Sequence, residues 1–115
     1  MVDNEAQLLI NAGRYEIACR EAYSAALNAA RAIVFEKTGK APKTHSGTRS
    51  ELERLIFEGL SFPKGLADFL GEGFDVKQRV DYGPVLRRTA EEAEEFTERA
   101  KAFLAVADAI LEPKG

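Results

Sequence analysis

Apolar residues recur along this chain at spacings of three and four, the pattern of helices that each bury one face. The clearest run lies between Arg14 and about Thr38, a stretch without glycine or proline and rich in alanine. Alanine is the strongest helix former, so this segment predicts one long helix of about 37 Å at ~1.5 Å per residue. Ala18, Ala22, Ala25, Ala29 and Ile33 fall along one face, with Tyr23, Leu27, Ala30 and Val34 along its neighbour. Such small side chains allow a second helix to approach closely. Gly39 stands where a helix ends in left-handed backbone, and Pro42 follows it.

The other segments follow the same rule. Ala6, Leu9 and Ile10 predict a short first helix over 3–12, with Asp3 or Asn4 as its N-cap and Asn11-Ala12-Gly13 as a turn. Beyond a polar loop from Lys40 to Gly47, Leu52, Leu55, Ile56 and Leu60 predict a helix that starts at Ser46 or Thr48 and runs to Glu58. Leu66, Phe69, Leu70, Phe74 and Val80 continue at helical spacing between Pro63 and Gly83-Pro84, with Gly71 and Gly73 breaking the pattern. Thr89 and Glu92 then make a capping box, and Glu91, Glu92, Glu94 and Glu95 suit the positive end of a helix dipole. Ala93, Phe96, Ala100, Phe103, Ala107 and Ile110 form the last apolar stripe, which Pro113 stops. No segment alternates with period two, so no sheet is expected. The expected architecture is all-α: one domain over 1–115, an up-and-down bundle of four to five helices.

Composition narrows the function classes. With 115 residues, 45% hydrophobic and 30% charged, the chain has room for one modest core and is too apolar for disorder. Tryptophan is absent, so that core rests on Leu, Ile, Val, Phe and alanine, and a second copy that buries more apolar surface is expected to help. Sixteen basic against nineteen acidic residues give a net charge of -3, which argues against a protein that coats DNA but leaves room for a local basic patch. Cys19 is the single cysteine; it makes no intramolecular disulfide and reads as a small buried apolar group. One histidine and one cysteine exclude the usual zinc sets. Glycine-rich phosphate loops and the Glu-x-x-His of di-iron bundles are missing as well, and the Glu91–Glu95 run reads as a solvated helix start. Neither metal nor cofactor is expected. The first residues do not read as a signal peptide, and no segment reaches the length of a membrane span, so the expected location is the cytoplasm.

Two polar clusters remain. Pro42-Lys43-Thr44-His45-Ser46-Gly47 precedes a helix, where an imidazole, hydroxyls, a lysine and backbone donors could gather round an anion. Equally, Ser46 or Thr44 caps the helix and His45 packs at a surface. The second cluster is Lys77, Arg79, Asp81 and Tyr82, with Arg87 and Arg88 beyond. At helical spacing Arg79 and Tyr82 share a face, which suits a phosphate-binding arginine beside a hydroxyl. The competing reading pairs Arg79 with Asp75 or Asp81 and leaves Tyr82 as an anchor.

Taken in order, Ala22-Tyr23-Ser24-Ala25-Ala26-Leu27-Asn28-Ala29-Ala30-Arg31-Ala32, Thr44-His45-Ser46-Gly47 and Arg79-Val80-Asp81-Tyr82 resemble the motifs of the HEPN family, in its small stand-alone prokaryotic branch, over about residues 5–110. The resemblance implies a helical bundle that dimerises through its long helices. It also implies a minimal nucleotidyltransferase as partner, in a toxin–antitoxin pair or a two-part enzyme. Many active relatives are metal-independent endoribonucleases with an Arg-x(4–6)-His motif at the dimer interface. This sequence departs from that motif. Thr38, Gly39 and Lys40 stand where His45 would need an arginine, and no histidine follows Arg79. Asn28 stands where related helices often carry histidine, and it is polar on an otherwise apolar helix.

The expected function is a dimeric module that binds a nucleotide, RNA or a nucleotidyltransferase. The alternatives are an endoribonuclease toxin with a degenerate site and a purely structural adaptor. Arg79, Asp81 and Tyr82 are the leading site residues, with Thr44 and His45 next and Asn28 third; no catalytic residue is assigned.

Overall fold

The computed structural model describes residues 8, 10–71 and 90–112, all of them in helices, turns or loops. The long helix, α1, spans Tyr15–Thr38. Leu8, Ile10 and Asn11 are helical and belong to the expected first helix, most of which lies outside the described residues. Gly13, at φ 78°, turns the chain from that segment into α1. At the far end Gly39 takes φ 77° and its N–H donates to the Phe35 carbonyl at 2.8 Å, closing the helix with a left-handed residue as the sequence predicts.

Helix α2 spans His45–Phe57. It begins at His45, one residue before the earlier of the two expected starts, with Thr44, one of the two expected caps, as its N-cap. The Thr44 hydroxyl accepts from the Gly47 N–H at 2.9 Å, and a Cβ on residue 47 would lie 2.8 Å from that oxygen. A glycine there leaves the cap its room. The other end closes as a Schellman motif: Gly59 sits at φ 114°, its N–H donates to Ile56, and that of Leu60 donates to Leu55. Helix α3, Lys64–Ala67, is only 4 residues long. A turn at Asp68 separates it from the helical residues 69–71, so the continuous helix expected across Leu66 and Phe69 is broken, and residues 72–80 of that expectation lie outside the described residues. Helix α4 spans Ala90–Leu111; its expected Thr89 cap also lies outside them.

The core forms where α1 meets α4, the most extensive helix pair, with α2 on α1 and α3 bridging α2 and α4. Ala93, Ala100, Phe103 and Ala107 of α4 are fully buried and Phe96 nearly so, while Ile110 packs at the edge. On α1 the buried stripe is Ala18, Cys19, Ala22, Tyr23, Ala26, Leu27, Ala30, Ile33 and Val34. Ala25 and Ala29 are half-buried at its margin, and Ala26 takes the interior place. Alanine against alanine lets α1 and α4 approach closely, and four phenylalanines fill the end of the wedge. Phe69 stands 4.7 Å from Phe96 and 6.4 Å from Phe103, and Phe62 stands 5.0 Å from Phe103, all between ring centres. Cys19 is buried and unbridged, as its place in the stripe requires. Among the described residues, no helix is long and apolar enough to cross a membrane.

Candidate anion-binding site

The site arises from the path of one connection. Six residues, 39–44, lead from α1 to α2, and they double back along α1 rather than away from it. Arg31, about two turns before the end of α1, donates to the carbonyl of Lys43 at 3.4 Å. His45 then arrives against Tyr23, which is 22 positions earlier in the chain. From Thr38 back to Tyr23 is about 22 Å along a helix axis, a distance that six extended residues nearly cover. Thr38 steers the return: its hydroxyl donates to Val34 at 2.8 Å, and the Lys40 N–H donates back to that hydroxyl at 3.2 Å.

Tyr23 and His45 lock α1 to α2. Their rings stack with centres 5.6 Å apart and planes 20° from parallel, and the phenol oxygen lies 2.8 Å from His45 Nδ1. Tyr23 is almost fully buried. Burial pushes its hydroxyl up to about 12, while the positive charges of Arg31 and Arg49 pull the other way. The phenol therefore stays protonated at neutral pH and is held to the His45 ring by a hydrogen bond.

The charges that act on the Tyr23 hydroxyl come from two arginines, one on each helix. Arg49 follows His45 by one turn of α2. Its Nε donates to Glu53 at 3.0 Å, and its outer nitrogens lie against Gly71, where a Cβ would come within 2.7 Å of Nη1. Arg31 is half-buried, and among the described residues it pairs with no carboxylate. Its Nε is buried without an acceptor, and its contact with Lys43 is long for a charged donor. Arg54 makes the contrast plain. It bridges Glu51 at 2.9 Å and Glu58 at 2.7 Å, and this pairing holds the Glu51 carboxyl below its usual range.

Of the residues singled out from the sequence, Thr44 and His45 fall within this cluster. Thr44 is the helix cap and His45 the partner of Tyr23, so each has a structural task. Asn28 is exposed on the side of α1 opposite the core, away from Tyr23. Arg79, Asp81 and Tyr82 lie outside the described residues. Sequence reasoning did not single out Tyr23, Arg31 or Arg49 as site residues. Tyr23 reads as one more core position, and the two arginines as surface charges of separate helices. The available signal was the absence of any acid between Glu36 and Glu51, a stretch with Lys37, Lys40, Lys43 and Arg49 in a chain of net charge -3. The described residues contain no group of acidic, histidine or cysteine side chains suited to a metal ion.

The HEPN domain model matches residues 4–110, and the chain belongs to the HEPN family, a class of helical modules tied to nucleotides and RNA. No curated protein matches the chain.

Proposed function

We propose that this domain is a dimeric module that binds a nucleotide, RNA or a nucleotidyltransferase, as one half of a two-component, toxin–antitoxin-like system. The observation that carries this reading is the basic run 37–50, free of acids and folded back onto α1 beside an arginine with no carboxylate partner among the described residues. Phosphates supply the charge that such a surface is missing. In this reading Arg79 serves as a further phosphate partner, with Asp81 and Tyr82 beside it.

The dimer uses the face of α1 that α4 leaves uncovered. Asn28, Ala32 and Phe35 recur there at helical spacing and all are exposed, Phe35 by 57%. The buried alanine stripe is already filled by α4. Light scattering tests this part: Phe35→Glu is expected to give a monomer, and a wild-type monomer at roughly tens of micromolar would defeat it.

Binding is tested by titrating the full chain with ATP, GTP and short labelled RNAs at two salt concentrations. Binding that weakens as salt rises, and weakens further in Lys40→Glu with Lys43→Glu, is the expected result. Silence with every nucleotide and RNA would reject the reading. RNA cleavage that is lost in Arg79→Ala would replace it with a nuclease.

A further inference from the structure

We propose that a second copy of this chain lays the acidic face of its α4 on the basic run 37–50, head to tail, and masks that run until a phosphate-bearing ligand displaces it. This inference rests on the nucleotide- and RNA-binding reading above and adds a regulator of the same surface.

Charge is segregated on this molecule. Glu91, Glu94, Glu95 and Glu98 stand within about two turns of α4, and all four are exposed. Lys101 holds Glu98 at 3.1 Å, whereas Glu91, Glu94 and Glu95 pair with no cation among the described residues. At about 100° per residue, these acids point away from the buried stripe of Ala93, Phe96, Ala100 and Phe103. The same outer face continues through Ala102, Ala105 and Ala109, which are exposed as well. Side chains this small leave room for the aliphatic stems of lysines to lie along the helix.

The opposite charge is gathered elsewhere. Lys37, Lys40, Lys43 and Arg49 are exposed, and no acid lies among them. The three lysines pair with no carboxylate among the described residues. This run lies along α1 and the start of α2, and α2 makes no extensive contact with α4. The acidic face is turned away from α1, so the two patches meet only between molecules.

Complementary patches at different places on one surface give a head-to-tail contact, which propagates where a two-fold pair would close. Exposed ion pairs are weak and screened by salt, so such a contact is easily displaced. A nucleic-acid backbone carries a phosphate at every nucleotide and competes for the same lysines.

The test is sedimentation velocity of the full chain at about 10 mM and about 300 mM salt, where charges act over roughly 30 Å and under 10 Å. Species larger than the one present at high salt are expected at low salt, with association weakened about 10-fold or more between the two. Lys40→Glu with Lys43→Glu is expected to abolish them, and so is Glu94→Lys with Glu95→Lys. Asp68→Lys with Glu112→Lys, at exposed positions outside both patches, makes the same charge change as the second pair and is expected to leave them. Mixing the two abolishing variants is expected to restore association, because one keeps the native acidic face and the other the native basic run. A short RNA is expected to dissolve the wild-type species. No growth in mass at low salt, or growth that survives either abolishing pair, overturns this inference and leaves the binding reading in place when RNA still binds. RNA that binds without dissolving the larger species overturns the masking. Growth that obeys the charge variants in a chain that binds no nucleotide or RNA supports the contact and overturns the binding reading.

Discussion

Replacing Tyr23 with phenylalanine isolates the bond that fastens α1 to α2. The phenol is buried, pairs with His45 Nδ1 at 2.8 Å, and has its pKa raised from 10.0 to about 12. In the unfolded chain it titrates near the ordinary value, so between those two values the unfolded state has shed a proton that the folded state retains. Stability from this group is thus complete below about pH 10 and drains away as pH rises through about 12. A shift of this size corresponds to about 3 kcal/mol when fully expressed, and to about half of that at pH 11. Tyr23→Phe keeps the ring and its stacking but removes both the hydrogen bond and the titration. At pH 7 the variant is expected to be less stable by about 1 kcal/mol. Because the wild type then loses stability that the variant retains, the two curves are expected to cross near about pH 11. Urea unfolding of both proteins at intervals from pH 7 to 12 measures this directly, and lysine and arginine titrations common to both cancel in the difference. A stability difference that stays flat with pH would refute the assignment of a buried, protonated Tyr23.

Four further substitutions probe the packing and the cap. Thr44→Ala removes the acceptor for the Gly47 N–H and is expected to cost about 1 kcal/mol in denaturant unfolding; no change would mean that the cap contributes nothing. Ala26→Leu places three extra carbons where α1 carries a fully buried alanine, and thermal melts are expected to report a loss of about 1–3 kcal/mol. The same change at exposed Ala32 is expected to leave the melting temperature nearly unaltered. Thr97 is buried with a hydroxyl that finds no partner, so Thr97→Val is expected to raise stability by about 1 kcal/mol. A lower melting temperature in that variant would place an unseen acceptor at the site.

Much of the bundle is legible in the sequence. Helix α1 begins and ends within one residue of its expected bounds, because alanine propensity and Gly39 act locally and do not depend on what packs nearby. The α4 stripe from Ala93 to Phe103 was equally plain, since heptad-like spacing leaves only one face to bury. Helix α2 began early for a local reason that sequence left open: Thr44 and Ser46 are both good caps, and only the room beside Gly47 selects Thr44. The expectation at Ala25 and Ala29 was off by one column. Adjacent residues on a helix lie about 100° apart, so periodicity places the apolar face only coarsely. The approach of α4 sets its centre nearer Ala26 and Ala30.

The site was legible only in pieces. Thr44 and His45 stand out because an imidazole and hydroxyls gather just before a helix, where backbone N–H groups can meet an anion. Arg31 and Tyr23 did not, being an ordinary charge and an ordinary core aromatic on a helix that needs both. What sequence alone determined was the set of local events: helical periodicity, the glycine stops, the alanine-rich spine and the acid-free run from Lys37 to Ser50. Tertiary structure decided which of these meet. The connection after Gly39 turns back along α1, carrying Lys43 to Arg31 and His45 to Tyr23. That direction depends on the helices packing together, because a six-residue loop has many paths of similar local energy and only burial of Tyr23, Leu52 and the aromatic core selects one.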